Sequence, residues 1–205
     1  MSENGKIYNP LDKRNLGESV AEALLESPVH SLPIKNSFLG AGIYALYYFG
    51  DYPAYKTIAA RNVGNKFEQP IYVGKAIPSG GRKGGFDLEG NSGEVLFKRL
   101  NEHAESIQCV KNLDIKNFAC RYLVVDDIWI PLGESLLISK FNPLWNVKVD
   151  GFGNHDPGSG RYSGMRPSWD TLHPGRNWAE KCQPSKKSEN EIQEDVLQYF
   201  RDNNK

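Results

Sequence analysis

Six residues whose chemistry could cooperate occur in a fixed order along this 205-residue chain. Tyr44 lies in GIYALYYF and Tyr72 in IYVGK; Arg99, His103, Glu134 and Asn146 follow. An arginine offers a rigid fork of donors and keeps its charge, so it suits a pentavalent phosphate. A histidine titrates near neutrality and can move a proton. A lone glutamate offers a hard oxygen to Mg²⁺, which keeps most of its waters and often takes only one or two carboxylates. A single carboxylate argues against a two-metal site, where several are expected. With two phenols added, the set is a plausible kit for hydrolysing a phosphodiester with one metal ion.

Each member also has an ordinary reading. A strand tyrosine is most often a packing residue whose hydroxyl finds a partner. Arg99 and His103 stand at i and i+4, so they share a helix face that could simply be solvated. Glu134 is the sole acid in a mostly apolar helix, where it could cap the first turn. Asn146 could be a turn residue, orient a phosphate or brace the site. Lys75 could lie by a phosphate or merely close its strand. Order and spacing carry more weight than any single residue.

The elements that must position these groups can be read from pattern. Residues 1–15 form a polar arm, and 17–27 predict a short helix with Val20, Leu24 and Leu25 on one side. Pro28 and Pro33 bracket a linker. Residues 43–49 and 71–74 read as strands. The glycine-rich stretch 78–93 is a long loop. Residues 94–107 give the clearest helix, with Ser92 or Gly93 as its cap. A third strand covers 118–125, and a second helix covers 132–141, ended by Asn142-Pro143. Ser188 and Glu191 have capping-box spacing before a terminal helix at 189–201. The resulting fold class is α/β (α+β): a small three-stranded antiparallel or mixed sheet, a short meander with helices over one face. The division is an N-terminal arm and helix (1–39), a core (40–147) and a C-terminal extension (148–205).

Composition sets outer limits. Lysine plus arginine equals aspartate plus glutamate at 25 each, so the formal charge is zero. That does not announce a nucleic-acid partner, although a local basic groove is sufficient for one. No apolar run approaches membrane-spanning length, and the N-terminus lacks the apolar region of a secretory signal. Cys109, Cys120 and Cys182 are odd in number with no CxxC spacing, which suits reduced thiols in a cytoplasm. His155, His173 and Cys182 match no compact zinc motif.

GIY at 42–44 and YVG at 72–74, followed by Arg99, His103, Glu134 and Asn146, resemble the GIY-YIG nuclease family over roughly residues 40–147. Valine stands where the family's second motif has isoleucine. PVHSLP at 28–33, GAGIYALYY at 40–48, NPLWNVKVDGFGNHDPGSGR at 142–161 and HPGRNWAEKC at 173–182 resemble the type II restriction endonucleases of that fold that cut CCGCGG. The resemblance implies catalytic roles for Tyr44, Tyr72, Arg99, His103, Glu134 and Asn146. Tyr44 would help activate the attacking water with Tyr72 in support, and Arg99 would contact the scissile phosphate. Glu134 would hold one Mg²⁺ or Mn²⁺ per site. A phenol with a pKa near 10 is a poor base at neutral pH, and passing its proton to neutral His103 removes that difficulty.

The implied partners are double-stranded DNA, a second copy of the chain matching the two-fold symmetry of a palindrome, and a cognate DNA methyltransferase in the same cell. Arg82-Lys83, Arg161, Arg166 and Arg176 are the expected DNA contacts, since arginine to guanine is the commonest specific base contact. The competing readings are a repair or homing nuclease of the same fold, a non-catalytic DNA-binding protein with a nuclease-like core, and a small-molecule or protein-binding domain.

Overall fold

A computed structural model of the chain describes residue 9, residues 11–78 and residues 93–203, apart from the side chain of Arg161. Four strands, β1 (His30–Ser31), β2 (Gly42–Tyr48), β3 (Pro70–Ala76) and β4 (Phe118–Val124), form one sheet in the order β1-β4-β2-β3. All three pairings are antiparallel. The expected three strands are therefore four. The extra one is two residues of the Pro28–Pro33 linker, too short to show alternation and defined only by its pairing with Ala119 and Cys120.

Helices cover both faces of the sheet, not one. Every residue of β2 is buried, and an apolar strand without polar alternation must be covered on both sides. Tyr44, Leu46 and Tyr48 point into one cluster, where α3 (Val95–Gln108) supplies Leu96, Leu100, Ala104 and Ile107. Ile43, Ala45 and Tyr47 belong to the other. There α1 (Lys13–Glu26) supplies Ala21 and Leu24, and α4 (Ile130–Phe141) supplies Ile130 and Leu137.

Helix starts move for local reasons. α1 begins at Lys13, inside the expected arm, because Asp12 caps it by accepting from the Arg14 amide. α4 begins at Ile130 with Pro131 in its first turn, a position where the missing amide costs nothing. Glu134 consequently lies beyond the first turn, and the capping explanation for it fails. Asn142 ends α4 in the left-handed conformation, φ 43°. For α3 the flanking residue is Glu94, with no side-chain cap; Ser92 and the Arg82-Lys83 loop lie outside the described residues.

The C-terminal extension is built into the same core. After α2 (Lys56–Asn62) and α5 (Leu144–Val147) come α6 (Ser168–Leu172), α7 (Asn177–Glu180) and α8 (Glu189–Asn203). Phe152, Trp169, Leu172, Ile192 and Val196 join the cluster that holds Tyr44 and Trp145. The capping box of α8 is present: the Ser188 amide and hydroxyl both reach Glu191 at 2.8 Å.

Gly42 shows why the first motif begins with glycine. A Cβ there would stand 2.0 Å from the backbone carbonyl oxygen of Leu123. Gly42→Ala is therefore expected to cost on the order of 1–3 kcal/mol, as overpacking of a filled core does. Urea denaturation measures it, and an unchanged midpoint would contradict this reading of the strand contact.

Candidate active site

Tyr44 crosses from β2 toward α3, and its phenol meets His103 Nε2 at 2.6 Å. Two local features permit this. Tyr44 pairs across the sheet with Gly74, where a Cβ would fall 2.4 Å from the phenol oxygen. Four residues of helix bring His103 onto the same face as Arg99. Both partners are wholly enclosed: Tyr44 is 0 % exposed and His103 1 %.

Burial disfavours charge on either partner. Burial, then the neighbouring Tyr72, push the Tyr44 phenol well above its ordinary range, against the pull of Arg99. Burial first, then the charges of Arg99, His155 and Arg176, hold His103 well below the usual imidazole range. The resting pair is thus a neutral phenol hydrogen-bonded to a neutral imidazole. Tyr72, also raised chiefly by burial, packs beside both, its ring 6.3 Å from Tyr44 and 5.3 Å from His103. It is partly exposed where Tyr44 is not.

Arg99 is half-engaged at the rim. It donates to Gly153 O at 2.6 Å, to His155 Nε2 at 2.6 Å and to Glu102 at 3.0 Å. Glu134 forms an ion pair with Lys75 at 2.6 Å, its side chain 18 % exposed. Its charge and that of Arg99 act on both tyrosines, which places all four groups in one electrostatic neighbourhood. Asn146 has a different task. Its carboxamide accepts from the Val73 amide and donates to the Val73 carbonyl, both at 2.8 Å. Of the three readings open to it, bracing the strand between Tyr72 and Gly74 is the one that the hydrogen bonds describe.

A family model described as the Eco29kI GIY-YIG domain matches residues 36–200. The chain belongs to this family of GIY-YIG restriction endonucleases. No curated protein matches it.

Within this GIY-YIG domain the expected basic contacts of the tail divide. Arg176 is 5 % exposed and pairs with buried Asp170 at 2.6 Å; it is an interior anchor, which corrects its reading as a DNA contact. Arg166 donates to the carbonyls of Ala179 and Glu180. Arg161's side chain is outside the description. His173 and His155 are far from forming a metal site together. His173 is buried between Tyr55 (2.6 Å) and Asn112 (2.9 Å), while His155 sits on Arg99. Among the described residues no group of three or more His, Cys, Asp or Glu could hold a metal ion.

Several site residues escaped sequence reasoning. Phe152 stacks on His103 with ring centroids 4.5 Å apart at 18°. Gly153 and His155 hold Arg99. Lys75, open in the sequence between a phosphate neighbour and a strand end, pairs with Glu134. No pattern marked Phe152 or His155 as neighbours of His103 and Arg99, and Gly153 belongs to a glycine-rich stretch too common to interpret.

Tyr55–His173 is a second buried phenol–imidazole pair, with rings of Tyr52, Trp145 and Trp169 around it. Burial lowers His173 to about 3. An unfolded histidine takes its proton near 6.5, so below that pH the unfolded chain binds more protons and stability falls with falling pH. Between pH 7 and pH 5 the loss from His173 should be about 2 kcal/mol, with His103 acting in the same direction. Urea titrations at both pH values check this, and His173→Gln should flatten the dependence; equal slopes in the two proteins would refute it.

Proposed function

We propose that the chain is a divalent-metal-dependent type II restriction endonuclease that hydrolyses a phosphodiester bond in each strand of double-stranded DNA. The observation that carries this is the enclosed Tyr44–His103 hydrogen bond with Arg99 and Glu134 beside it. A neutral phenol–imidazole pair in the field of both a guanidinium and a carboxylate suits proton transfer beside a phosphate.

In this reading a backbone phosphate takes the place of His155 and Glu102 on Arg99, and that exchange opens the phenol. Tyr44 accepts a proton from water as its own proton passes to His103 Nε2, so no phenolate need persist. The new hydroxide bonds to phosphorus, the bond to the leaving oxygen breaks, and Arg99 holds the equatorial charge that grows between them. The imidazolium later returns its proton to solvent. Tyr72 packs the relay and keeps it dry. Asn146 holds β3 in register.

Glu134 is the residue that would hold the metal. A single accessible carboxylate fits an ion that keeps most of its own waters, and the ion would take the place of the Lys75 ammonium. When bound, it supplies Lewis-acid stabilisation of the leaving oxygen. A cytoplasmic setting suits the three free thiols, Cys109, Cys120 and Cys182.

For specificity we propose CCGCGG or a close relative, with two copies of the chain acting on the palindrome. Light scattering with and without DNA tests the pairing; only monomers under cleaving conditions would end that part of the proposal.

Cleavage of plasmid DNA in Mg²⁺ separates the roles. Wild type should give discrete fragments with ends that map to one sequence. Tyr44→Phe should cut at least about 100-fold more slowly, the usual scale for a lost acid–base group. Glu134→Gln should bind DNA and not cut it. Its stability should change by no more than about 1 kcal/mol, since a partly exposed ion pair near the surface contributes little. Unchanged cutting by Glu134→Gln would refute the assigned metal ligand, and binding without cutting by wild type would favour a non-catalytic DNA-binding protein.

A further inference from the structure

The four carbonyls of residues 151–154 are divided between two guanidiniums. Arg176 takes Gly151 at 2.9 Å, Phe152 at 3.1 Å and Asn154 at 3.1 Å. The one it leaves, Gly153, accepts from Arg99 at 2.6 Å. Arg176 completes its set with both Asp170 oxygens, each at 2.6 Å. A guanidinium has five N–H donors, and these five acceptors occupy them all. The Arg176 guanidinium also lies over the rings of Trp169 and Trp178, 4.6 and 4.8 Å from their centroids.

Two residues of the loop so anchored, Phe152 and Gly153, touch the hydrolytic groups. Gly151 has φ +104°, a conformation that suits glycine. The Phe152 ring stacks on His103 and meets Tyr72 at 5.0 Å. A Cβ on Gly153 would stand 2.5 Å from the Tyr72 hydroxyl, so the backbone passes directly over the second tyrosine.

We propose that Arg176 is a positioning residue for DNA hydrolysis: it fixes loop 151–154, whose Gly153 carbonyl aims Arg99 and whose Phe152 ring seats His103 against Tyr44. The inference rests on the hydrolytic reading above and extends it to a residue outside the six-residue constellation. Arg176 touches neither phenol nor imidazole; its effect passes through the loop. The charged and titratable groups around His103 are Tyr44, Tyr72, Arg99, His155 and Arg176 itself.

Two variants of the full chain test it. Arg176→Lys keeps the charge but offers three donors on a flexible stem in place of the planar fork. Phe152→Leu leaves the anchor whole and removes the ring. The probe is a short duplex containing CCGCGG, bound without Mg²⁺ and cleaved in single turnover with it. Both variants should bind within about threefold of wild type and cleave about 10- to 100-fold more slowly, because small misplacements of reacting groups cost rate before affinity. The acid limb of their rate profile should also move up toward pH 6.5, as water reaches His103.

Wild-type rates in both folded variants would overturn the proposal. So would a loss that only follows the unfolded fraction, with the pH profile unmoved. Should Arg176→Lys fail to fold, Phe152→Leu decides: a wild-type rate and profile overturn it, a slowed rate with a shifted limb supports it. A wild type that binds and never cleaves overturns the hydrolytic reading and this role with it, whereas a cleaving wild type beside unaffected variants overturns the positioning role alone.

Discussion

The hydrogen bond between Tyr44 and His103 joins the central strand to the helix that covers it, and its enclosure constrains much of what surrounds it. Two polar side chains at 0 % and 1 % exposure are tolerable only because each satisfies the other. The phenol reaches the imidazole only across a glycine at 74, and Asn146 braces β3 beside that glycine by holding both backbone groups of Val73. The imidazole in turn needs a flat partner on its other face, which Phe152 supplies from the C-terminal extension. One contact of 2.6 Å thus draws on β2, β3, α3 and the tail together.

The comparison with Tyr55–His173 shows what sets the candidate catalytic pair apart from a structural one. The distance is the same, 2.6 Å, and burial acts on both imidazoles in the same direction. Tyr55 also accepts from Trp145, and Asn112 orients the far nitrogen of His173. That network is closed, with aromatic rings on its flanks. Tyr44 has a guanidinium and a carboxylate in its field, and both are held by partners near the surface. Geometry alone would not separate the two pairs; the charged surroundings do.

Much of this arrangement was legible from residue order. The i, i+4 spacing of Arg99 and His103 guarantees a shared face wherever a helix forms, and the strand character of GIYALYY follows from its β-branched and aromatic content. The same run, lacking polar alternation, carried the sign that both faces would be covered, although a meander with helices on one side looked simpler. Glu134 was displaced from the first turn because Pro131 belongs inside the helix and not before it. Phe152, His155 and Arg176 could not be placed, since their roles depend on a tail that folds back onto α3. A long-range contact of that kind leaves no periodicity to read, and an arginine bound for the interior looks like any other cation in a glycine-rich stretch.

Asn146 closes one side of the sheet in a way that bears on assembly. Its carboxamide presents an acceptor and a donor to Val73 as a neighbouring strand would. An unpaired strand edge is a template for another chain, and here that template is filled by a side chain. At the opposite border β1 has only two residues, too few to seed an extended ladder. Val73 is therefore closed to a strand from a second copy, and β1 offers a newcomer only two residues to pair with.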